Sequence, residues 1–585
     1  MSQLTRLFDI IEAYKQQPKS CMVAGKKNGE WVSYSTEDFV SVTNDLSKAL
    51  LTKGLQKGDK IALMSGNRPE WNIVDFASNQ LGIALVPLYP TLSAQDLSYI
   101  LNDSETKMIF VSNAELAKKV EHALQASALQ LEVYTLDQID GRNYYGDLVE
   151  LGKQQTIDLK PYNDAVQPHD LLTLIYTSGT TGKPKGVLLT HDNILSNVRA
   201  SAHLMLDHIS KALSFLPLCH IFERMVVYIY LTKRIEIHYA ESLDNIVVDI
   251  NDVKPQIFTS VPRVLEKVYD KIVDKGKALT GIKKALFFWA LDLGHQFQPP
   301  PKNGFFYNFK LAIARKLIFS KWKEALGGNI EIIISGGAAL QERLARVFWA
   351  AGIKVLEGYG LTETSPVISV NSPVETDVKF GTVGRVLKNL DVKIAPDGEI
   401  LVKGPSVTSG YYKNEEATRE VFNEEGYLQT GDIGEITADG FLKITDRKKE
   451  MFKTAGGKYV APQVLENKFM ESTLIAQVMV VGENQRFPAA LIVPAFEELE
   501  KWCGHKGIPY GSKEEVVKNP QVIEKYQREI DRFNSNFGHW EQVKKFELLP
   551  KEWTIDGGEL TPKLSLKRKA ILKKEEEIIQ RIYTA

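Results

Sequence analysis

The residues best suited to chemistry lie in one segment that begins at the end of an apolar run, LLTLIYT at 171–177. The ten residues from Thr177 to Gly186 include three glycines, four hydroxyl side chains and two lysines. Glycine lets backbone amides close around phosphate oxygens, hydroxyls add donors or metal ligands, and lysine adds positive charge. The segment is therefore predicted to bind a polyphosphate through Thr177, Ser178, Gly179, Thr180, Thr181, Gly182, Lys183 and Lys185.

The spacing of this segment differs from that of the Walker A loop of kinases and GTPases. That loop has four residues between its first glycine and Gly-Lys-Ser/Thr, whereas two residues separate Gly179 from Gly182 and Pro184 follows Lys183. A kinase or GTPase is therefore disfavoured. A loop rich in Gly, Ser and Thr is often only a solvated turn. Ten consecutive residues of this kind after an apolar strand favour function.

The segment resembles the phosphate-loop signature of the adenylate-forming (AMP-binding) superfamily, which includes acyl-CoA synthetases and luciferases. Four further stretches resemble motifs of that family in the family's order, and the likeness covers roughly residues 30 to 570. They are SGGAAL at 335–340, GYGLTETSP at 358–366, YLQTGDIG at 427–434 and DRKKEMFKTAGGKYV at 446–460. Five motifs in one order make a chance match negligible.

The resemblance implies ATP and Mg²⁺ as ligands, with the metal shared by Thr180 and Glu363. A carboxylate offers the hard oxygen that Mg²⁺ prefers. Thr362 is expected to contact a phosphate and to act in catalysis. The expected contacts around the adenine are Gly337, Glu357, Gly358 and Tyr359, the last because an aromatic ring can stack on a purine.

Further along the chain, Asp432 is expected in a turn after a strand, where its carboxylate would accept from the ribose hydroxyls with help from Arg447. By resemblance, Lys449 is the hinge of a small domain, Lys453 contacts the nucleotide, and Gly456 leaves room for the pantetheine arm of coenzyme A. For any single lysine here, an exposed basic face is the alternative.

The catalytic lysine of the family lies in a C-terminal motif that ends in basic residues. Alignment on Lys567 and Arg568 puts Ser565 where that lysine would stand. We predict that Lys563 takes its place, and Lys567 is the other candidate.

Three stretches resemble the long-chain acyl-CoA synthetases within the superfamily: 214–224, 259–272 and 519–562. In the first, His220 either lies near the acyl carboxylate or is a satisfied core residue. The resemblance implies ATP-dependent ligation of a long-chain fatty acid to coenzyme A through an acyl-adenylate, with release of AMP and pyrophosphate. The alternatives are transfer to a carrier protein, another carboxylic acid as substrate, or a degenerate relative that only binds, which Ser565 favours.

The elements that position these motifs follow an α/β pattern. Short β-rich runs alternate with helical periodicity from about 58 to 260, which predicts buried, largely parallel strands. We predict an adenylate-forming fold with a large N-terminal domain at 1–446 and a small, mobile α+β domain at 447–585. Within the large domain, α/β subdomains extend to about 375 and a β-rich subdomain occupies about 376–446.

Composition limits the remaining possibilities. The 585 residues allow roughly three to five compact units. With 72 Lys+Arg and 73 Asp+Glu the net charge is −1, so no basic field exists for nucleic acid and none is expected as a partner. Three cysteines without ligand spacing indicate neither disulfides nor structural zinc and fit a reducing cytoplasm. Oligomeric state is not predictable from the sequence.

One region differs in composition. Residues 271–326 carry 11 Lys/Arg and 3 Asp/Glu among FFWA, FFYNF and LIFSKW. Such a pattern fits an amphipathic surface on the inner face of a membrane. It fits better a helical layer with lysine and arginine stems at its rim and its aromatic rings in the core.

Overall fold

The computed structural model describes residues 4–125, 129–177, 183–242, 245–300, 302–554, 557–561 and 566–584. The chain divides into two compact units, one of Met1–Lys393, Leu401–Gln429 and Ala438–Leu442, the other of Ile394–Ile400, Thr430–Thr437 and Lys443–Ala585. The predicted domain boundary at 446 stays a prediction. Within the described residues, no helix combines the length and apolarity that crossing a membrane requires.

The strands are β1 Val23–Lys27, β2 Glu30–Tyr34, β3 Lys60–Met64, β4 Ala84–Leu88, β5 Met108–Val111, β6 Glu132–Thr135, β7 Asn143–Tyr144, β8 Leu171–Thr177, β9 Lys185–Thr190, β10 Lys211–Ser214, β11 Glu236–Tyr239, β12 Ile257–Ser260, β13 Ile332–Ser335, β14 Lys354–Gly360, β15 Val367–Val370, β16 Arg385–Val386, β17 Asp391–Ile394, β18 Glu399–Lys403, β19 Leu428–Ile436, β20 Leu442–Arg447, β21 Phe452–Lys453, β22 Tyr459–Val460, β23 Ile475–Val481, β24 Ala489–Pro494 and β25 Lys545–Leu548.

The helices are α1 Asp9–Lys15, α2 Thr36–Thr52, α3 Pro69–Asn79, α4 Ala94–Asp103, α5 Ala114–Gln125, α6 Tyr145–Lys153, α7 Lys160–Ala165, α8 His191–Ser201, α9 Ile221–Thr232, α10 Ile246–Val253, α11 Pro262–Lys277, α12 Gly281–His295, α13 Phe305–Ala314, α14 Ser320–Ala325, α15 Glu342–Ala350, α16 Glu415–Val421, α17 Pro462–Phe469, α18 Phe496–Lys506, α19 Lys513–Val516, α20 Pro520–Asn534, α21 Arg568–Lys574 and α22 Glu576–Thr584.

The larger unit contains two extended sheets. One has the order β7-β6-β5-β3-β4-β8-β9 and is parallel except for the β8–β9 pair. The other has the order β16-β15-β14-β13-β12-β10-β11-β1-β2, with parallel pairing from β1 through β14 along its centre. Strands β3, β4 and β5 are buried along their whole length, because helices cover both faces of a parallel sheet. The predicted α/β class is confirmed.

Strand β9 was not predicted. Lys185–Thr190 returns antiparallel to β8 after the glycine-rich segment. Helix α8 begins only after a capping box in which Thr190 and Asn193 exchange side-chain and backbone hydrogen bonds. Six residues are too few for a periodicity to stand out beside the loop.

A four-stranded sheet has the order β17-β18-β19-β20. In the C-terminal part, β23 pairs antiparallel with β24 and β24 pairs parallel with β25. Helices α17 and α20 pack together through Phe469 and Phe533, whose ring centroids are 6.4 Å apart. This small α+β unit agrees with the predicted fold.

The aromatic region at 271–326 is only partly as predicted. Phe287, Phe319 and Trp322 lie in the core, as the favoured interpretation required. Phe305 and Phe306, however, are each 79% exposed. The core interpretation is wrong for these rings, because no element among the described residues covers the face of α13 that carries them.

Candidate active site

The predicted phosphate-binding segment begins and ends on paired strands. Thr177, the last residue of β8, lies opposite Lys185, the first residue of β9. Strand β8 runs parallel to β4, so Thr177 lies at the carboxyl edge of the parallel strands, where open α/β sheets bind ligands. The remaining predicted residues Ser178, Gly179, Thr180, Thr181 and Gly182 lie outside the described residues.

The structure brings Lys185 and Glu363 together through a third side chain, Tyr411. The Lys185 ammonium lies 5.2 Å from the centroid of the Tyr411 ring, and the Tyr411 hydroxyl donates to Glu363 Oε1 at 2.9 Å. Burial and the Glu363 carboxylate raise the pKa of Tyr411, so its hydroxyl keeps its proton and remains a donor. The predicted metal ligand Glu363 is thus held beside the strand that leaves the phosphate segment.

The backbone around Glu363 is fixed to the same strand. The Thr408 amide donates to the Glu363 carbonyl at 2.8 Å, and the Thr408 hydroxyl donates to the Leu188 carbonyl of β9 at 2.6 Å. Tyr411 and Thr408 were not predicted, since no motif marks the stretch that carries them. A tyrosine pair at 411–412 next to Lys413 is the one local signal.

Lys183 has a separate aromatic partner. Its ammonium lies 5.1 Å from the centroid of the Tyr99 ring. The neighbouring Tyr176 hydroxyl donates to Asp103 at 2.5 Å. The Lys183 side chain is exposed, so it can supply charge to an anionic ligand.

The residues predicted around the adenine lie at the ends of β13 and β14. Tyr359 pairs with Ser369 and Gly358 with Val370 across β14 and β15. Gly337 has a φ of +83°, a conformation that favours glycine. Gly360 is required by close packing, since a Cβ atom there would lie 1.8 Å from the Pro366 carbonyl oxygen.

Glu357 is buried behind these residues. Its Oε1 accepts from the Leu340 amide at 3.1 Å, which ties the 335–340 turn to β14. Burial raises the pKa of Glu357 to about 8. Its carboxyl group is therefore mostly protonated at neutral pH and its observed contact is with the backbone. Thr362, also buried, starts a single 3₁₀ turn that contains Glu363.

His220 caps helix α9. Its Nδ1 accepts from the Phe222 amide at 3.1 Å, so a neutral ring carries its proton on Nε2. The Phe222 ring lies against Gly336, where a Cβ atom would be 3.2 Å from the ring. The half-buried capping position differs from a core histidine, and its role toward an acyl carboxylate remains a prediction.

A buried ionic cluster links α9 to β8 and was not predicted. Arg224, fully buried on α9, forms an ion pair with Asp75 and donates to the Thr173 hydroxyl of β8 at 2.7 Å. Burial disfavours the charged guanidinium, but Asp75 and Tyr228 keep the pKa of Arg224 above its ordinary value. An arginine four residues after His220 on an apolar helix is the sequence signal for such a pair.

In the second unit, Asp432 and Arg447 meet as predicted, with Arg447 Nε 3.4 Å from Asp432 Oδ1. The expected turn is wrong. Asp432 lies inside β19 and is buried, and Gly431 before it has a φ of +73°, which favours glycine. Half of the Arg447 side chain stays exposed, so the pair presents charge to solvent.

The predicted hinge and coenzyme A residues follow in an exposed stretch. Lys449 is exposed in the turn after β20. Lys453 lies over the ring of Tyr459 at 4.6 Å from its centroid. A Cβ atom at Gly456 would meet only the Thr454 hydroxyl, at 3.9 Å, so the position has room for a side chain in this conformation. Lys563 lies outside the described residues.

Just before Lys449, the chain carries a buried carboxyl group. Asp446 is 2% exposed, and its Oδ1 accepts from the Arg447 amide at 2.6 Å. Burial, reinforced by Glu450 and Glu466, raises the pKa of Asp446 to about 7. Arg568 forms an ion pair with Glu466 at 2.7 Å. This carboxyl cluster was not predicted, since its cationic partner Arg568 lies more than a hundred residues after the last of the carboxyl groups.

Comparison with known proteins places the chain in a family. A family model described as AMP-binding enzyme matches residues 11–412, and one described as AMP-binding enzyme C-terminal domain matches 450–585. The chain is 34% identical over 592 residues to long-chain-fatty-acid–CoA ligase FadD15 of Mycobacterium bovis, covering 98% of this chain and 96% of that protein. It is 33% identical over 577 residues to human long-chain-fatty-acid–CoA ligase 1, covering 92% and 80% respectively.

Solved structures share the fold at lower identity. The adenylation domain of a carboxylate reductase from Mycobacterium chelonae superposes with a TM-score of 0.78 at 22% identity, covering 100% of this chain and 92% of that one. O-succinylbenzoate coenzyme A synthetase from Bacillus subtilis, solved with ATP and magnesium, gives a TM-score of 0.68 at 21% identity, with coverage of 96% and 98%. The shared fold, the two matched family models and the identity to full-length relatives together assign this chain to the family of AMP-binding enzymes.

Proposed function

We propose that this enzyme ligates a long-chain fatty acid to coenzyme A through an acyl-adenylate. A carboxylate oxygen attacks the α-phosphorus of ATP and pyrophosphate leaves. The thiolate of coenzyme A then attacks the acyl carbonyl carbon, and AMP leaves with its electron pair on the phosphate oxygen. The observation that carries the proposal is the Lys185–Tyr411–Glu363 arrangement at the exit of the phosphate segment.

The main obstacle to the first step is charge. A carboxylate must approach a triphosphate of about four negative charges, and one unit pair at about 4 Å and an effective dielectric of about 20 costs about 4 kcal/mol. One lysine cannot offset several such repulsions. Lys183, Lys185 and the loop amides therefore have to act together on the phosphates.

A magnesium ion fits the donor chemistry of this site. Glu363 offers a carboxylate oxygen, and Tyr411 orients that carboxylate by its hydrogen bond to Oε1. Glu363 and Thr180 would hold the ion, which when bound neutralises phosphate charge. Thr362 would donate to a phosphate oxygen.

The base and the sugar of the nucleoside would be recognised by separate sets of residues. Gly337, Gly358 and Tyr359 would frame the adenine, and Glu357 would support them by holding the 335–340 turn. Asp432 and Arg447 would bind the ribose hydroxyls, because a carboxylate can accept from two hydroxyl donors at once.

The second step requires the thiol of coenzyme A at the position that Lys563 would occupy during adenylation. We propose that a small domain starting at about 447 turns at Lys449 between the two steps. This rotation would remove Lys563 from the site. It would also bring Lys453 into contact with the nucleotide and open a passage at Gly456 for the pantetheine arm. His220 would lie near the acyl carboxylate.

The test is AMP release from ATP, Mg²⁺, coenzyme A and acids of increasing chain length. We expect turnover that rises toward long chains, since each buried methylene is worth about 0.8 kcal/mol. Omitting coenzyme A should stop pyrophosphate release at one equivalent and leave AMP unreleased, because AMP leaves only when the thiolate attacks. Continued turnover without coenzyme A, or the same activity after adding a carrier protein in its place, would favour transfer to another acceptor. No AMP with any acid would favour a binding protein.

A further inference from the structure

Three side chains of the kinds that bind transition metals lie together on the sheet that contains β1 and β11. They are Cys21, two residues before β1, and Glu236 and His238 on β11. The Cys21 sulfur, a carboxylate oxygen of Glu236 and a ring nitrogen of His238 all lie within 4.8 Å of one another. We call this group the Cys21–Glu236–His238 cluster, and the proposed ligase chemistry does not use it.

Strand pairing brings the cluster together from residues far apart in sequence. Strand β1 pairs parallel with β11. Glu236 and His238 are two residues apart on β11, so their side chains point to the same face of the sheet. The Ile237 amide donates to the Met22 carbonyl at 3.3 Å, which holds the residue next to Cys21 against β11.

His238 is a buried side chain whose ring is incompletely paired. It is 9% exposed and packs edge-on against Trp31 of β2, with ring centroids 5.0 Å apart. Its Nδ1 has no hydrogen-bond partner among the described residues, and its Nε2 lies 3.4 Å from Glu236 Oε1, beyond the ordinary hydrogen-bond length. Buried polar groups are normally paired, so an ion beside the ring would explain this one. Burial lowers the pKa of His238 to about 4, which leaves the ring in the neutral form that binds a metal.

The distances in the cluster fit a tetrahedral zinc ion. With zinc–nitrogen and zinc–oxygen bonds of about 2.0–2.2 Å, two ligand atoms of a tetrahedron lie about 3.4 Å apart. The distance from His238 Nε2 to Glu236 Oε1 has this length. A zinc–sulfur bond of about 2.3 Å puts the sulfur about 3.6 Å from the other ligand atoms, so the Cys21 side chain has to move by little more than about 1 Å.

The donor types favour zinc over the hard cations. Magnesium and calcium bind mainly oxygen, whereas a thiolate and an imidazole suit zinc. Three protein ligands leave the fourth tetrahedral position to a water molecule. Cys21 and Glu236 are half-buried, so solvent can reach that position. The cluster therefore has the composition of a site that binds zinc reversibly.

Neighbouring charges act on the thiol and on a bound cation. Burial and the Glu236 carboxylate raise the pKa of Cys21 to about 12, whereas Lys211 and Lys19 act in the opposite direction. A bound divalent cation reverses this preference, and the thiol then gives its proton to solvent and binds as the thiolate. Lys211 Nζ lies 3.7 Å from Glu236 Oε1, so this lysine competes with a cation for that oxygen.

We propose that the Cys21–Glu236–His238 cluster binds a zinc ion, which ties the chain before β1 to β11 and stabilises the larger unit. Glu236 is the first residue of β11, so the cluster lies near the amino end of this strand, whereas open α/β sheets bind their substrates at the carboxyl ends. The site goes beyond the proposed function and does not require it, since zinc binding can be measured without turnover.

The experiment is calorimetric titration of the full, untagged chain with zinc chloride after treatment with a chelator. Titration with cobalt(II) reports thiolate ligation through sulfur-to-cobalt charge-transfer absorption. The ligand variants are Cys21→Ser, Glu236→Gln and His238→Gln. His208→Gln is the matched control, because His208 Nε2 lies 2.8 Å from Glu331 Oε2 in an exposed pair outside the cluster.

The parent should bind one zinc ion, and the cobalt charge-transfer band should disappear in Cys21→Ser. Each ligand variant should bind zinc about tenfold or more weakly than the parent, and His208→Gln should bind it like the parent. Zinc at about a hundredfold excess over its dissociation constant should raise the thermal unfolding midpoint of the parent by about 2 °C or more. The midpoint of Cys21→Ser should stay where it is.

Lys211→Gln should change zinc binding in the opposite direction. Exchange of the thiol proton for a divalent ion adds one positive charge to the cluster, which the Lys211 ammonium opposes. We therefore expect Lys211→Gln to bind zinc about two- to fivefold more tightly than the parent. AMP release by the metal-stripped chain with ATP and Mg²⁺ should be the same in Lys211→Gln, Cys21→Ser and the parent, which separates this site from the proposed ligase activity.

Two results would overturn the proposal. One is a parent that binds no zinc in the titration. The other is zinc bound equally well by the parent, Cys21→Ser and Lys211→Gln, which would show adventitious binding elsewhere on the chain. If His238→Gln fails to fold, the half-buried positions 21 and 211 still decide between these outcomes.

Discussion

The two glycine-containing segments predicted to contact the nucleotide are supported in different ways. The first leaves β8, which is held by Arg224 and Thr173 through contacts between residues far apart in sequence. The second, around Gly456, lies in the short β21–β22 hairpin, where the Thr454 amide donates to the nearby Lys458 carbonyl at 2.9 Å. The first segment therefore depends on side chains buried in the core, whereas the second is held by backbone hydrogen bonds, among them those of Ala455 to Gln485 and of Asn484 to Lys453, each 2.8 Å long.

The largest effect should come from breaking the support of the first segment. Arg224→Met leaves Asp75 as a buried charge without its partner, which typically costs about 3–5 kcal/mol. We expect a strongly lowered thermal unfolding midpoint and loss of ATP binding. Arg419→Met on the exposed face of α16 is the control and should unfold like the parent.

The double variant Asp75→Leu/Arg224→Met separates the buried charge from the packing. With no charge left unpaired, it should recover part of the stability that Arg224→Met loses. A double variant that is less stable than either single variant would mean that the ion pair itself, rather than the orphaned charge, holds β8.

The next effect concerns the second segment. Lys449→Pro restricts the backbone at the proposed hinge, because proline fixes φ and removes an amide donor. We expect thioester formation to fall about tenfold or more while acid-dependent ATP–pyrophosphate exchange changes by less than about threefold. Lys449→Ala, which removes the side chain without restricting the backbone, is the control and should retain both activities. Equal loss in the two assays would refute the hinge.

A further effect should be seen in the pH dependence of stability. The pKa of Asp446 is raised from 3.8 to about 7 in the folded chain, so between these values the unfolded chain ionises while the folded chain keeps its proton. Stability should therefore fall as pH rises through this window, by at most about 1.4 kcal/mol per pH unit for one proton.

Asp446→Asn removes this titration. We expect the difference in unfolding free energy between Asp446→Asn and the parent to increase in favour of the variant from pH 5 to pH 7. Subtracting the parent cancels the contributions of other buried carboxyls such as Glu357. A difference that stays constant with pH would show that Asp446 is ionised in the folded chain.

Much of the fold could be predicted because its signals are local. The apolar runs of β3, β4 and β5 and the periodicity of α2 are each contained in a few consecutive residues. The order of the motifs likewise singled out Glu363 and Lys185 as candidate site residues, although the sequence does not give the distance between them. Asp432 and Arg447, which the motifs singled out, lie 3.4 Å apart, and their role toward the ribose stays a prediction.

What could not be predicted depends on contacts across long stretches of chain. Tyr411 reaches Glu363 over 48 residues, and Arg224 reaches Asp75 over 149. The periodicity of apolar residues along the sequence carries no information about pairs so far apart. The exposure of Phe305 and Phe306 was not predicted, because the sequence does not show whether another element covers the aromatic face of a helix.

The central claim is that Glu363 assists adenylation at the phosphate segment, and its most direct test is acid-dependent ATP–pyrophosphate exchange by Glu363→Ala as Mg²⁺ is varied. We expect exchange to fall about 10²- to 10³-fold, with more Mg²⁺ needed for half-maximal rate, and Tyr411→Phe to fall in between. The exposed Glu375→Ala should behave like the parent. Exchange by Glu363→Ala at the parent rate and the parent Mg²⁺ dependence would contradict the claim.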